Sequence, residues 1–215
     1  MKQFVVIGLG RFGTSVAKTL ADNGHDVLAI DKCEECVDEL VEYVTHAVEA
    51  DATDETALSA LGVNNFDTAV VSIGDNVHAN ILATLILKEM GVPEVVAKAQ
   101  DKMHGKILSR VGADKVVFPE RDMGERVARQ LISTNMLDYI DFAPDYSIIE
   151  LISPSHMVGK TLQEINFRKE YNANVMAIRR GKNLNLAPGG QDKILEGDTL
   201  IIMGRNDQLE DLKEE

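Results

Sequence analysis

The sequence predicts an α/β protein, with a doubly wound parallel sheet over residues 1–138 and a small α+β domain over residues 139–215. Three observations predict it. Gly8-Leu9-Gly10-Arg11-Phe12-Gly13 stands between two apolar runs, six short apolar runs each precede a helical pattern, and Gly24, Gly62, Gly91 and Gly112 close helices.

The first strand, residues 3–8, leads through the glycine turn into a helix over 11–23. Gly8 suits the tight turn, Gly10 lets the main chain approach a pyrophosphate, and Gly13 lets the helix press on the strand. Amide groups at the helix start then face phosphates, with the helix dipole in support. The second strand, 26–30, runs into Asp31, which lies 21 residues after Gly10. A carboxylate there accepts hydrogen bonds from ribose hydroxyls and repels a 2′-phosphate, so the unit is a Rossmann-like nucleotide binder that disfavours NADP.

A helix is expected over 33–43, opening on Cys33-Glu34-Glu35-Cys36. With no second Cys or His pair to complete a zinc site, these cysteines read as small residues packed near the ribose, a redox or metal role being the alternative. Strands at 46–49, 68–73, 94–98 and 115–118 alternate with helices at 54–61, 76–91, 101–111 and 121–138, and the expected strand order is 3-2-1-4-5-6. Ligands bind such sheets at the carboxyl ends of the strands, in the crevice between the first and fourth. Asp51, Ala52, Asp75 and Lys98 fall on that edge with Arg11, Phe12 and Asp31. Arg11, at the phosphate turn, favours a ligand with extra terminal phosphate charge.

After residue 138 the character changes. Asp141 to Asp145 reads as a polar break, followed by strands at 146–152, 175–179, 183–186 and 198–203 and a short helix at 161–169. No nucleophile elbow, His-Glu zinc motif or Cys/His couple stands here, and a dehydrogenase needs a proton-transfer residue somewhere. The formal net charge of −13 disfavours a wide nucleic-acid footprint. No run approaches the ~18–20 apolar residues of a membrane helix, and no signal peptide opens the chain, so a cytoplasmic protein is expected.

Several spaced motifs together resemble the cytosolic regulatory subunits of Ktr/Trk potassium-uptake systems: Val6 to Gly13, Ala50-Asp51-Ala52-Thr53, Lys98-Ala99-Gln100, Gly112-Ala113-Asp114, Phe118-Pro119-Glu120 and Gly197-Asp198-Thr199-Leu200. The resemblance implies an RCK N-terminal domain, an RCK C-terminal domain and a ring, octameric in the family, beneath a separate membrane pore subunit. It also implies ATP/ADP or NAD(H) as ligand, with Gly8, Gly10, Arg11, Gly13 and Asp31 matching the nucleotide motif, Arg11 meeting a γ-phosphate and Lys98 the phosphate end. Glu120 matches a glutamate that binds Mg²⁺ or Ca²⁺ together with the partner subunit's copy. In the C-terminal domain, Leu162, Arg168, Asn174, Val175 and Pro188 match positions that hold cyclic di-AMP across a dimer interface. The sequence departs from the family pattern at Asp75, where a neutral residue is usual, and at Pro188-Gly189-Gly190.

Two other classes compete with this regulatory, non-enzymatic reading. An NAD-dependent oxidoreductase would share the first 138 residues and need a proton donor in the rest. A nucleotide-sensing transcription factor would need a helix-turn-helix or a basic stripe.

Overall fold

The computed structural model describes residues 2–132, 136–210 and 212. The chain divides into two compact units, Met1–Arg121 and Asp122–Glu215.

The first unit alternates strands β1 (Gln3–Ile7), β2 (Asp26–Asp31), β3 (His46–Glu49), β4 (Thr68–Val71), β5 (Glu94–Lys98) and β6 (Lys115–Val117) with helices α1 (Arg11–Asp22), α2 (Glu34–Asp38), α3 (Glu55–Ala60), α4 (Val77–Glu89) and α5 (Lys102–Arg110). The strands form one sheet in the order β3-β2-β1-β4-β5-β6, all pairs parallel. Alternate residues of a strand face opposite ways, so the inner strands β1, β2, β4 and β5 feed two cores. Val5, Ile7, Leu28, Ile30, Ala69, Val71, Val95 and Ala97 pack with Leu58, Ala83, Leu87 and Leu108 on one face. Val6, Val27, Ala29 and Val70 pack with Ala17, Val37 and Leu40 on the other.

The helices start where short polar side chains cap them. Asp54 accepts from the Thr56 and Ala57 amides, Asn76 from Ala79 and Asp101 from His104. The exception is α1, whose N-cap is Gly10 and carries no side-chain cap. Its first amides therefore have no side-chain acceptor from the cap.

Helix α2 is shorter than the 33–43 expected. After Asp38 the chain tightens into i→i−3 bonds, from the amides of Leu40 to Val37, Val41 to Asp38 and Tyr43 to Leu40, which let Leu40 plug the core.

Helix α6 (Pro119–Ile132) begins two residues earlier than expected, and the expected tail to residue 138 is corrected. Residues 133–135 lie outside the described residues, and Met136–Ala143 is strand β7. Strand β7 pairs antiparallel with β8 (Tyr146–Ile152) through a tight connection at Pro144-Asp145, so the expected polar break is the tip of a hairpin. The division between units therefore comes earlier than residue 138.

The second unit continues with α7 (Leu162–Ile165), α8 (Phe167–Glu170), β9 (Asn174–Arg180), β10 (Asn183–Asn185), β11 (Thr199–Arg205) and α9 (Asn206–Glu210). Its sheet runs β10-β9-β11-β8-β7, antiparallel throughout. The single helix expected at 161–169 is broken at Asn166, whose φ of 53° is left-handed. Ile149, Leu151, Ile178, Leu200 and Ile202 form the core with Met157, Phe167, Ile194 and Leu209.

One buried carboxylate ties this sheet to its loop. Asp198 is fully buried and accepts from Arg180 Nε at 2.8 Å, Arg180 Nη2 at 2.7 Å and the Leu195 amide at 2.8 Å. Arg180 holds its carboxyl below the usual carboxylate range. The stability this contributes is complete above the unfolded carboxylate pKa of ~3.9 and is lost as pH falls through the lower folded value. Asp198→Asn is expected to cost about 1–3 kcal/mol at neutral pH and to flatten the acid side of the stability profile. Urea unfolding from neutral to acid pH checks both.

Candidate functional site

The site is built from the carboxyl ends of the first unit's strands. Gly8, just past β1, has φ +90°, and a Cβ there would lie 2.7 Å from the Ile73 nitrogen and 3.0 Å from the Ser72 carbonyl carbon. A Cβ on Gly13 would run into the Gly8 carbonyl oxygen and Ser72 Oγ. Ser72 Oγ itself donates to the Gly8 carbonyl, so the glycine turn is clamped onto β4. Gly10 differs, because a Cβ there would meet no protein atom within 4 Å. The protein's own packing does not require that glycine. A ligand passing over the turn would.

Asp31, the last residue of β2, accepts from the Leu9 amide at 2.5 Å through Oδ2 and from the Cys33 amide at 3.0 Å through Oδ1. It braces the glycine turn against the start of α2. A carboxylate has about four acceptor positions, so two remain for a ligand's hydroxyls.

Asp51 follows β3, and its Oδ1 accepts from the Thr53 amide at 2.8 Å and hydroxyl at 2.7 Å, which lowers its pKa. Asp75 follows β4 and is exposed. Buried Asn80 donates from Nδ2 to the carbonyls of Ile73 at 2.7 Å and Lys98 at 3.2 Å, joining the ends of β4 and β5. Lys98, the last residue of β5, pairs with Glu120 at 2.6 Å and stands 5.9 Å from the centre of the Phe12 ring. Its ammonium draws the Glu120 pKa down, with Arg11 adding a weaker pull.

These groups surround one cleft of about 850 Å³, a size that suits a small-molecule ligand. Gly8, Gly10, Arg11, Phe12, Asp31, Asp51, Ala52, Asp75, Lys98 and Glu120 line it, whereas Gly13 is buried behind the turn. Arg11, Lys98 and Glu120 cluster toward the β5 side of the cleft, and Asp31 stands on the β2 side with Lys32, Cys33 and Cys36. The arrangement offers bare amides and two cations to phosphates and a carboxylate to a sugar.

Sequence reasoning put Cys33 and Cys36 only near the ribose and did not assign Lys32, Thr53, Ser72, Ile73, Asn76, Ala79 or Gln100 to the site, yet all of them line this cleft. All but Ala79 stand within five residues after a strand's end, a position that could have signalled them. Glu120 pairs with Lys98 through Oε1, and among the described residues of this one chain no group of three or more His, Cys, Asp or Glu capable of holding an ion exists; the expected cation site with the partner subunit's copy of Glu120 lies beyond a single chain.

A second, smaller cavity of about 390 Å³ lies in the second unit, where Leu162, Arg168, Asn174, Val175 and Pro188 come together with Phe167 and Gly190. Arg168 Nε donates to Asn174 Oδ1 at 2.8 Å, which fixes the guanidinium on the rim. The cavity combines the apolar side chains of Leu162, Phe167 and Val175 with the amides of Gln163, Asn166 and Asn174 and one oriented cation. No helix among the described residues is long and apolar enough to cross a membrane.

Comparison with known proteins follows the same division. The TrkA-N domain family matches residues 4–119 and the TrkA-C domain family residues 146–215. The chain is 45% identical over 203 residues to Ktr system potassium uptake protein C of Bacillus subtilis (strain 168), covering 94% of this chain and 92% of that protein. It is 43% identical over 214 residues to Ktr system potassium uptake protein A of the same bacterium, covering 100% of this chain and 96% of that one. In the solved GsuK channel bound to NAD, 38% of that chain superimposes on 97% of this one with a TM-score of 0.68 at 19% identity, a likeness of fold.

Proposed function

This chain belongs to the TrkA-N/TrkA-C family of Ktr/Trk potassium-uptake regulatory proteins, and from that premise we propose that it is a non-enzymatic, nucleotide-gated subunit controlling a separate membrane potassium pore. The observation that carries the nucleotide part is the cleft at the sheet's switch point. Its glycine turn leaves the first amides of α1 uncapped, and Gly10 faces open space where a side chain would fit the protein and obstruct a ligand. The ligand class is an adenine nucleotide, ATP/ADP or NAD(H), with its phosphates at Arg11 and Lys98 and a ribose at Asp31. A cytoplasmic homo-oligomeric ring docked beneath the pore is the assembly this role requires, because one pore must read many identical sites together.

Titration of the purified chain with ATP, ADP and NADH tests the reading, and absence of binding by all three sinks it. Arg11→Ala is expected to weaken ATP about tenfold to a hundredfold and ADP much less, since the terminal phosphate loses a charge-assisted contact of ~1.5–3 kcal/mol. Equal losses for both nucleotides would remove the terminal-phosphate role.

The second cavity supports cyclic di-AMP as a second ligand. Leu162, Phe167 and Val175 suit adenine faces, the lining amides suit their edges, and Arg168 suits a phosphate. A symmetric two-base ligand fits a twofold interface between copies, so saturation is expected at one ligand per two chains. Arg168→Ala should lower that affinity about tenfold or more. Calorimetry with the full-length chain reads both the stoichiometry and the loss.

A further inference from the structure

We propose that Cys33 and Cys36 form a reversible intramolecular disulfide at the rim of the nucleotide cleft, and that the oxidised chain holds its nucleotide more weakly. The second half rests on the nucleotide reading above.

Both cysteines are free, partly exposed and on the cleft lining. Cys33 is the N-cap of α2 and Cys36 stands three residues on, with the Cys36 amide donating to Cys33 Sγ at 3.4 Å. Neighbours at this spacing on a helical turn lie ~5–6 Å apart between Cβ atoms, and a disulfide needs roughly 3.5–4.5 Å. A shift of an ångström or so therefore closes the bond. The two sulfurs are also unequal. Cys36 packs against the core beneath α1 and α2, and its thiol is pushed up to about 11 by its hydrogen bond to Cys33 and by burial. Cys33, at the N-cap position and with the Cys36 amide already donating to its sulfur, is the sulfur placed to attack.

The chemistry balances with a small-molecule disulfide as oxidant. The Cys33 thiolate attacks one of its sulfurs, forming a mixed disulfide and expelling one thiolate. Cys36 then gives up its proton and attacks the Cys33 sulfur, expelling the second. Two protein thiols become one disulfide, one small disulfide becomes two thiols, and the two protons end on the departing sulfurs.

The coupling to ligand runs through Asp31. Its carboxylate is held by the Cys33 amide on one side and the Leu9 amide of the glycine turn on the other. Drawing Cys33 toward Cys36 moves the first of these donors and turns the carboxylate away from the position that receives a ribose.

The test uses the full chain equilibrated with graded ratios of oxidised to reduced glutathione, thiols counted by alkylation and mass, and ADP affinity measured in each state. Both thiols are expected to disappear together without retained glutathione, and the ADP dissociation constant to rise about fivefold or more. Reciprocity requires saturating ADP to shift the midpoint glutathione ratio toward the dithiol by the same factor. Cys33→Ser and Cys36→Ser should each abolish the intramolecular disulfide, so that the only oxidation product is a glutathione adduct read by mass. Thiols that persist, a product that stops at the mixed disulfide, or a disulfide that leaves ADP affinity unchanged overturns the proposal. A reduced chain that binds no ADP overturns the nucleotide reading and the coupling with it, while the mass measurement still decides whether the disulfide forms.

Discussion

Gly13→Ala is expected to destabilise the first unit by about 3 kcal/mol, lowering its melting midpoint by on the order of 10 °C, and to remove nucleotide binding at the same time. The added methyl has nowhere to go. It would collide with the Gly8 carbonyl oxygen, a backbone atom, and with Ser72 Oγ, which already bonds that carbonyl. Relief would require α1 to lift from β1, which breaks the clamp to β4 and moves the uncapped amides. Gly10→Ala is the matched control. Gly10 has φ −68° and open space where an added methyl would stand, so only the N-cap preference of Gly over Ala is lost and stability should fall by about 1 kcal/mol or less while ADP affinity falls. Differential scanning calorimetry and ADP titration on both variants separate packing from ligand clearance. A stable, ADP-binding Gly13→Ala would show that the glycine turn is not under the compression described.

Asp31→Ala should weaken ATP, ADP and NADH alike, by about tenfold to a hundredfold, because it removes a charged acceptor at the ribose end that all three share. The pattern contrasts with that of Arg11→Ala, which sorts ligands by their terminal phosphate. The same substitution strips the acceptor from the Leu9 and Cys33 amides, so a stability loss of about 1–2 kcal/mol is expected as well. Asp31→Asn retains one carbonyl acceptor and should recover part of the stability and little of the affinity. Isothermal titration with the three ligands decides the matter, and unchanged affinity would remove Asp31 from the site.

Local signals made most of the first unit legible. The inner strands β1, β2, β4 and β5 are apolar runs packed on both faces, most of the helices end at glycines or begin at Asp and Asn caps, and the parallel order 3-2-1-4-5-6 follows from alternating β and α elements. Where two local patterns agreed with different folds, the sequence could not choose. Met123, Val127 and Leu131 keep a four-residue helical spacing, and the helix expected to run on to residue 138 stops short because pairing with β8 makes Met136–Ala143 a strand. Similarly, the 161–169 stretch reads as one helix until Asn166 turns left-handed.

By itself the sequence determined the two-part α/β plan, the glycine turn and the acid at the end of β2, because those depend on short-range periodicity, backbone permissiveness and fixed spacing. Only the tertiary structure decided what each side chain faces. Lys98 meets Glu120 across 22 residues, Asp31 reaches back 22 residues to brace Leu9, and Cys33 and Cys36 lie on the cleft rim beside it. The physical reason is that such contacts are set by how strands far apart in the chain are brought side by side, and side-chain hydrogen bonds form only after that geometry exists.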